Sequence, residues 1–341
     1  MNRKMAWIAR IDLVQKHPGA DSLDICSIGG WKVVTKLNQF AQGDLAVYCS
    51  IDSWVPDALA PFLSKGKEPR VYQGVAGQRL RTIKLRGQLS QGLLLPIEPT
   101  CANIDSELFD GLAVSVPLNI QKWEQTLPAC LSGMVKGVFP DQIPRTDQER
   151  VQNLTVEILS AATAGMQFEL TEKLEGASMT CYMIDGEFGV CSRNLDLKPD
   201  VNNTLWAVAQ RDHVEAKMRA VDEHWSWAVQ GELIGPGIQD NIYRLSKPQF
   251  CVFDVYNIQT GQYLDPAARR ALIDRMGLTH VPVLCEVKDL GAGNVDELLL
   301  WADAPSLLNQ QHLREGIVFK QIHGGMTFNA ISNKYLLGEK C

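Results

Sequence analysis

The chain has 341 residues, 45% of them hydrophobic and 21% charged, with a formal net charge of −6. That length suggests two domains, each able to bury a core, and the composition excludes a disordered chain. No apolar run reaches the roughly 20 residues that a membrane-spanning helix needs, so no membrane partner is expected.

The N-terminal stretch MNRKMAWIARIDLV lacks the long apolar run and small-residue cleavage site of a secretion signal. Nine cysteines are scattered from Cys26 to Cys341 without a CxxC pair. An odd number in that pattern argues against a disulfide framework or a structural zinc, and points to free thiols in a reducing cytoplasm. The six histidines are equally dispersed. A metal, if one acts here, is therefore held by oxygens, which means magnesium or manganese.

The first 115 residues read as short strands between turns, as in a small barrel or sandwich. An apolar stretch, Ala6 to Val14, precedes the turn HPGADSL; Asp24–Ile28, Trp31–Thr35 and Asp44–Cys49 follow, then Arg79–Leu85 and Gly92–Ile97. Within this region Lys65, Lys67, Arg70, Arg79, Arg81, Lys84 and Arg86 face a single acid, Glu68. Binding follows local rather than total charge, so this is a candidate nucleic-acid surface; a solvated basic face is the plainer reading.

Residues 116–145 read as a connecting region, interrupted by Gly133, Gly137, Pro140 and Pro144. Thr146-Asp147-Gln148-Glu149 has the pattern of a capping box opening a short helix. Asp185-Gly186 between Ser178–Ile184 and Glu187–Ser192 is a two-residue hairpin signal. Thr204–Met218 has near-helical apolar spacing, and Trp225–Leu233 and Phe250–Tyr256 read as strands. Asp265-Pro266 opens a helix that Gly277 closes. Glu315–Lys320 and Thr327–Ile331 are late strands. Because strands and helices do not alternate regularly, the second half is expected to be α+β.

The chemistry centres on Lys173-Leu174-Glu175-Gly176, behind the strand Gln167–Thr171. Ser192-Arg193-Asn194, Gly231-Glu232-Leu233, Phe250 to Asp254, and Glu315-Gly316-Ile317-Val318-Phe319-Lys320 follow in order. That ordered series resembles the nucleotidyltransferase domain of polynucleotide ligases. SRNLDLKPDVNNTLWAVAQ, QGELIGPGIQDNIYRL and REGIVFK with ISNKYLL look like the Deinococcus-type RNA ligases. In that family an OB domain precedes the catalytic domain, and Ile8–Val34 is similar to the start of such OB folds. The resemblance implies an all-β OB-fold barrel (residues 1–115) before an α+β, ATP-grasp-like nucleotidyltransferase domain (residues 146–341).

It also implies an ATP-dependent RNA ligase that joins 3′-hydroxyl and 5′-phosphate ends through lysyl-AMP and RNA-adenylate, in RNA repair. A lysine attacks phosphorus only as the neutral amine, although its free pKa is about 10.4. Phosphoryl transfer is otherwise positioning and charge neutralisation. By resemblance Lys173 is the nucleophile and Glu172 meets the adenine amino group. Arg193 holds phosphate or ribose, and Glu232 accepts from ribose hydroxyls. Phe253 stacks on adenine, with Phe250 the competing stacker and Val318 against the opposite face. Glu315 binds Mg2+ or Mn2+, and Lys320 neutralises phosphate. Glu175, Gly176 and Lys334 are counted with the nucleotide-binding residues. Lys65, Lys67, Arg79, Arg81, Lys84 and Arg86 are expected to meet RNA, alone or in duplex with RNA or DNA; a monomer is expected.

Asn329 departs from the pattern, standing where the last motif of such enzymes has a lysine. Three readings stay open: Lys334 or Lys320 compensates, the protein is attenuated, or the position was altered. Within the superfamily, DNA ligase and capping guanylyltransferase are alternatives that the domain order and QGELIGPG disfavour. A different class remains, an RNA-binding OB protein with a degenerate catalytic domain, supported by Asn329 alone.

Overall fold

The computed structural model describes residues 4–123, 134–221 and 226–339. Gly133, Trp225 and Cys341, named above, lie outside the described residues. The chain divides into two compact units, Met1–Thr126 and Leu127–Cys341.

The first unit is built from short antiparallel strands. Ala6–Arg10, Leu45–Cys49 and Leu93–Pro96 form one sheet with Leu45–Cys49 central. Leu13–Lys16, Leu23–Ile28 and Trp31–Lys36 form a second. The expected single run from Ala6 to Val14 is two strands, broken at Ile11-Asp12. Trp31–Lys36 alternates buried and exposed residues, so its one buried face joins a core with Ile11 and Tyr48. Gln121–Lys122, Ser53–Pro56, Val75–Arg79 and Arg70–Tyr72 make a third sheet. Thr82–Leu85 and Gln88–Gln91 form a separate hairpin, so the predicted strand Arg79–Leu85 is also two.

The second unit holds two sheets. The larger runs in the order Val135–Val138, Leu195–Leu197, Glu187–Cys191, Ala177–Ile184, Trp227–Ile234, Gln249–Asn257, Gln262–Tyr263, with Thr279–His280 also beside Gln249–Asn257. The smaller runs Glu149–Arg150, Thr327–Ile331, Gly316–Gln321, Phe168–Lys173, Val283–Lys288. The hairpin at Asp185-Gly186 has both residues at positive φ, 50° and 78°, as its two-residue turn requires.

Each sheet buries one face under helices. Met179, Val229, Leu233, Phe250 and Val252 pack with Trp206, Met218 and Ile273 from the helices Thr204–Arg211, Val214–Val221 and Pro266–Met276. Phe168, Leu170, Phe319 and Phe328 pack with Ile158 and Leu298 from Thr155–Thr163 and Val295–Ala302. Two-residue periodicity leaves the alternate side chains on the opposite faces, and those faces meet through Lys320 and Asp254.

Two sequence expectations are corrected here. Thr146 to Glu149 opens no helix: Glu149–Arg150 pairs in parallel with Phe328 and Asn329, and the helix starts at Thr155. The Thr146 hydroxyl lies 3.2 Å from that of Ser178, and Glu149 accepts from Asn153, so tertiary partners took the capping groups. The helical stretch Thr204–Met218 is two helices, divided where His213 adopts a φ of 53°. Asp265 and Gly277 act as expected: Asp265 Oδ1 accepts from the Ala268 N–H at 2.8 Å, and Gly277 ends the helix at φ 59°.

Candidate active site

Lys173 is the last residue of its strand, directly opposite Gly316. Its Nζ donates to Glu315 Oε1 at 2.6 Å, both side chains being partly exposed. Two glycines make this approach sterically feasible. A Cβ on Gly176 would stand 2.4 Å from the Leu233 carbonyl oxygen, and one on Gly316 would stand 2.3 Å from that of Ala330. Both glycines of the motif series are therefore required for backbone packing rather than for a turn.

Glu175 is held on three sides. Its N–H donates to the Tyr243 hydroxyl at 2.5 Å, Tyr335 donates to Oε2 at 2.5 Å, and the Asp240 N–H reaches Oε1 at 3.3 Å. Neither tyrosine was singled out from sequence, although both lie in the quoted motifs NIYRL and NKYLL. Glu172 is buried; its Oε2 accepts from the Leu307 N–H at 2.8 Å, while Oε1 has no hydrogen-bond partner among the described residues. Burial raises its pKa, against the pull of the hydrogen bonds at Ser306 and Leu307.

Glu232 shares the inner face of the larger sheet. Burial first, and then the charge of Glu315, push its pKa up to about 8, while Lys173 and Arg193 pull it back. Arg193 sits in the turn after Glu187–Cys191 and pairs with Asp147. So Lys173, Arg193, Glu232 and Glu315 form one electrostatic group drawn from distant parts of the sequence.

Phe253 owes its position to a bulge. Gln230 pairs with Asp254 and Gly231 with Val252, so Phe253 is the extra residue. A bulge re-aims side chains, and Phe253 and Asp254 in succession are half-buried in an otherwise mostly buried strand. Phe253 packs beside Leu174, Ile234 and Tyr243, whereas Phe250 points into the helix-covered core. Lys320 Nζ pairs with Asp254, donates to the Phe253 carbonyl at 2.9 Å and lies 5.7 Å from the Phe253 ring. Burial lowers its pKa to about 8 despite Asp254.

Strand register arranges the remaining residues in rows on the smaller sheet. Thr171, Val318, Asn329 and Arg150 lie side by side across four strands, between the row of Lys173, Gly316 and Ile331 and the row of Glu169, Lys320 and Thr327. Asn329 is buried; its Nδ2 donates to the Gln148 carbonyl at 3.3 Å and its Oδ1 has no partner among the described residues. Lys334 is exposed on the following short helix, outside these rows.

A charged cluster that sequence reading missed lies beneath. Glu169 pairs with Arg269 and Arg270, and Arg269 Nε is 3.1 Å from His280 Nε2. Burial and Arg269 lower the His280 pKa to about 4, so the ring is neutral and accepts from the guanidinium. Nothing in spacing could reveal this, since Glu169 and Arg269 are 100 residues apart. Among the described residues, no group of three or more His, Cys, Asp or Glu gathers as a metal cluster.

In the first unit, Lys65, Lys67, Arg70, Arg81, Lys84 and Arg86 are exposed. Arg79 differs: it pairs with Asp52 at 2.5 Å and stacks 3.7 Å from the Trp123 ring centroid.

Residues 166–335 match the RNA ligase family. At 39% identity, the RNA ligase of Naegleria gruberi in a structure with PPi superimposes with a TM-score of 0.88, covering 98% of each chain. The chain belongs to the RNA ligase family. Two mutants of the Naegleria gruberi ligase, one with ATP and Mn and one with AMP and Mn, match equally, each at 39% identity, TM-score 0.88 and 98% of both chains. Residues 5–97 of this ligase match an OB-fold domain family, so an OB fold precedes the nucleotidyltransferase domain, as expected. Curated proteins showed no significant match. No helix among the described residues is long and apolar enough to cross a membrane.

Proposed function

We propose that this ligase is ATP-dependent and transfers AMP to Lys173 before passing it to RNA. Lys173 Nζ attacks the α-phosphorus of ATP, a nitrogen–phosphorus bond forms, the bond to the bridging oxygen breaks, pyrophosphate departs and the amine proton goes to solvent. The 5′-phosphate of RNA then displaces Lys173 to give RNA-adenylate. Attack by a 3′-hydroxyl seals the strand and releases AMP. The contact of Lys173 with Glu315 at 2.6 Å, beside Glu232, is the observation that carries this reading.

The surrounding residues fit a nucleotide. Glu172 Oε1 is a buried acceptor without a partner among the described residues, suited to the adenine amino group. Such an atom is costly to leave unmatched. The half-buried Phe253 ring stacks on adenine, with Val318 on the other side. Glu232 holds ribose hydroxyls, and Arg193 a phosphate or the ribose. Lys320 and Lys334 add positive charge.

A divalent ion fits as well. Each of Glu232 and Glu315 disfavours the other's charge, so a cation between them relieves both. Glu315 would hold Mg2+ or Mn2+ with help from Glu232; sites of one or two carboxylates plus substrate phosphates are usual for magnesium. The ion would supply positive charge at the α-phosphate and favour the neutral amine.

Residues 1–115 would meet RNA, alone or in duplex, through Lys65, Lys67, Arg81, Lys84 and Arg86. Residues 116–145 connect to the nucleotidyltransferase domain at 146–341. The free thiols support a reducing, cytoplasmic setting, and the protein would act as a monomer in RNA repair. Intact-mass measurement after incubation with nucleotide and metal tests the reading. An adduct of one AMP supports it. A GMP adduct would indicate a capping-type enzyme, and no adduct an RNA-binding protein with a degenerate site.

A further inference from the structure

Arg150 was not among the residues singled out from sequence. It lies on the two-residue strand Glu149–Arg150, which pairs in parallel with Phe328 and Asn329. Register partners on adjacent strands present their side chains to the same face. Glu149 lies opposite Phe328, a core residue under the helices, and Arg150 lies opposite Asn329. Arg150 therefore shares the inner face with Asn329, Val318 and Thr171, one row from Lys173 and one row from Lys320. The Asn329 Nδ2 bond to the Gln148 carbonyl fastens the segment just before Arg150 to this strand. The Arg150 side chain is half-buried, and its Nη1 atom is fully buried.

Other cations of the same group are neutralised by carboxylates. Lys320 is paired with Asp254, Arg193 with Asp147, and Arg269 and Arg270 with Glu169. Distance then decides which phosphate Arg150 serves. Three strand spacings of about 4.8 Å separate its strand from that of Lys173, about 14 Å across the sheet. The reacting phosphorus must come within roughly 3.5 Å of Lys173 Nζ. A guanidinium starting that far away meets the phosphates beyond the one attacked. Its planar fork suits phosphate oxygens, and its charge persists even where burial penalises ions.

We infer that Arg150 binds the β- and γ-phosphates of ATP and holds pyrophosphate as it leaves Lys173-bound AMP. This rests on the ATP-dependent reading above. It predicts that Arg150 acts in the first chemical step and is idle once AMP is on RNA.

The test uses full-length Arg150→Ala, Arg150→Gln and Arg150→Lys proteins, with thermal melting to establish folding. Single-turnover AMP transfer from ATP should slow at least ~10-fold in Arg150→Ala and Arg150→Gln, equivalent to about 1.4 kcal/mol. Arg150→Lys should keep part of the rate. In the reverse reaction, the pyrophosphate concentration giving half-maximal release of ATP from lysyl-AMP should rise at least ~10-fold. Sealing of chemically pre-adenylylated RNA should stay within twofold. A wild-type rate of AMP transfer in Arg150→Ala would overturn the inference. So would equal loss in both steps, which is the pattern of a structural or RNA-contacting residue. If the wild-type protein takes up no AMP at all, the ATP-dependent reading itself fails.

Discussion

Lys173 Nζ donates to Glu315 Oε1 at 2.6 Å across 142 residues of sequence. The two meet because Lys173 ends one strand, directly opposite Gly316, and Glu315 immediately precedes the other. An ammonium paired with a carboxylate cannot attack phosphorus, so nucleotide and metal must separate the pair before AMP transfer. Lys173→Ala should therefore abolish covalent labelling from radiolabelled ATP with magnesium or manganese. Labelling of that variant at the wild-type level would remove Lys173 from the mechanism.

Gly176 offers a test of packing rather than chemistry. Its substitution by alanine places a Cβ 2.4 Å from the Leu233 carbonyl and 2.9 Å from Glu232 Cγ. Neither backbone can yield cheaply, so Gly176→Ala should destabilise the protein by about 1–3 kcal/mol, as overpacked sites do. It should also shift Glu232 and lower AMP transfer. Urea unfolding read with AMP labelling measures both; an unchanged midpoint would contradict the close approach.

Asn329 lies one row from Lys173 on the inner face, buried, with Oδ1 unmatched among the described residues. A cation there would face charge that builds up as pyrophosphate leaves. Electrostatic contacts of this kind are worth about 3–4 kcal/mol when removed. Allowing for the cations already present, Asn329→Lys should speed single-turnover AMP transfer by at least ~10-fold. An equal or slower rate would mean that another lysine fills the role, and Lys334→Ala would then be the damaging change.

The pH dependence of stability tests Glu232. Its folded pKa, about 8, lies above the usual 4.5, chiefly through burial. The folded state thus binds the proton more tightly than the unfolded state. Between pH 4.5 and 8 the unfolded chain holds fewer protons at this position, so stability falls as pH rises through that window. Glu232→Gln cannot ionise and should lose this decline. Relative to wild type it should be more stable at pH 8 than at pH 5, by at least ~1 kcal/mol after allowance for solvent screening. Denaturation midpoints at both pH values decide it; identical pH profiles would mean that Glu232 titrates normally.

The basic stretch of the first unit separates into two kinds of residue. Arg79 is engaged by Asp52 and Trp123, so its loss should lower stability. Arg81, Lys84 and Arg86 are exposed, and neutralising them together should weaken RNA sealing but spare AMP transfer. Each lost phosphate contact should flatten the logarithmic salt dependence by about 0.7–0.9. Unchanged sealing and slope in a folded variant would place RNA on another surface.

Sequence alone determined the chemistry-bearing residues of one strand at a time. Lys173, Glu232 and Glu315 stand in short motifs whose order is visible without a fold. The Asp185-Gly186 turn and the helix from Asp265 to Gly277 follow from backbone preferences of a few adjacent residues. Tertiary structure decided what depends on neighbours distant in the chain. Phe253 rather than Phe250 faces the site because a bulge opposite Gln230 and Gly231 breaks the alternation, and alternation is all that a lone strand reveals. The capping pattern at Thr146 to Glu149 was overridden because pairing with Phe328 and Asn329 offered the backbone other partners. That same pairing puts Arg150 beside Asn329. A register between strands some 180 residues apart is set by which faces can be buried together, and no local pattern records it.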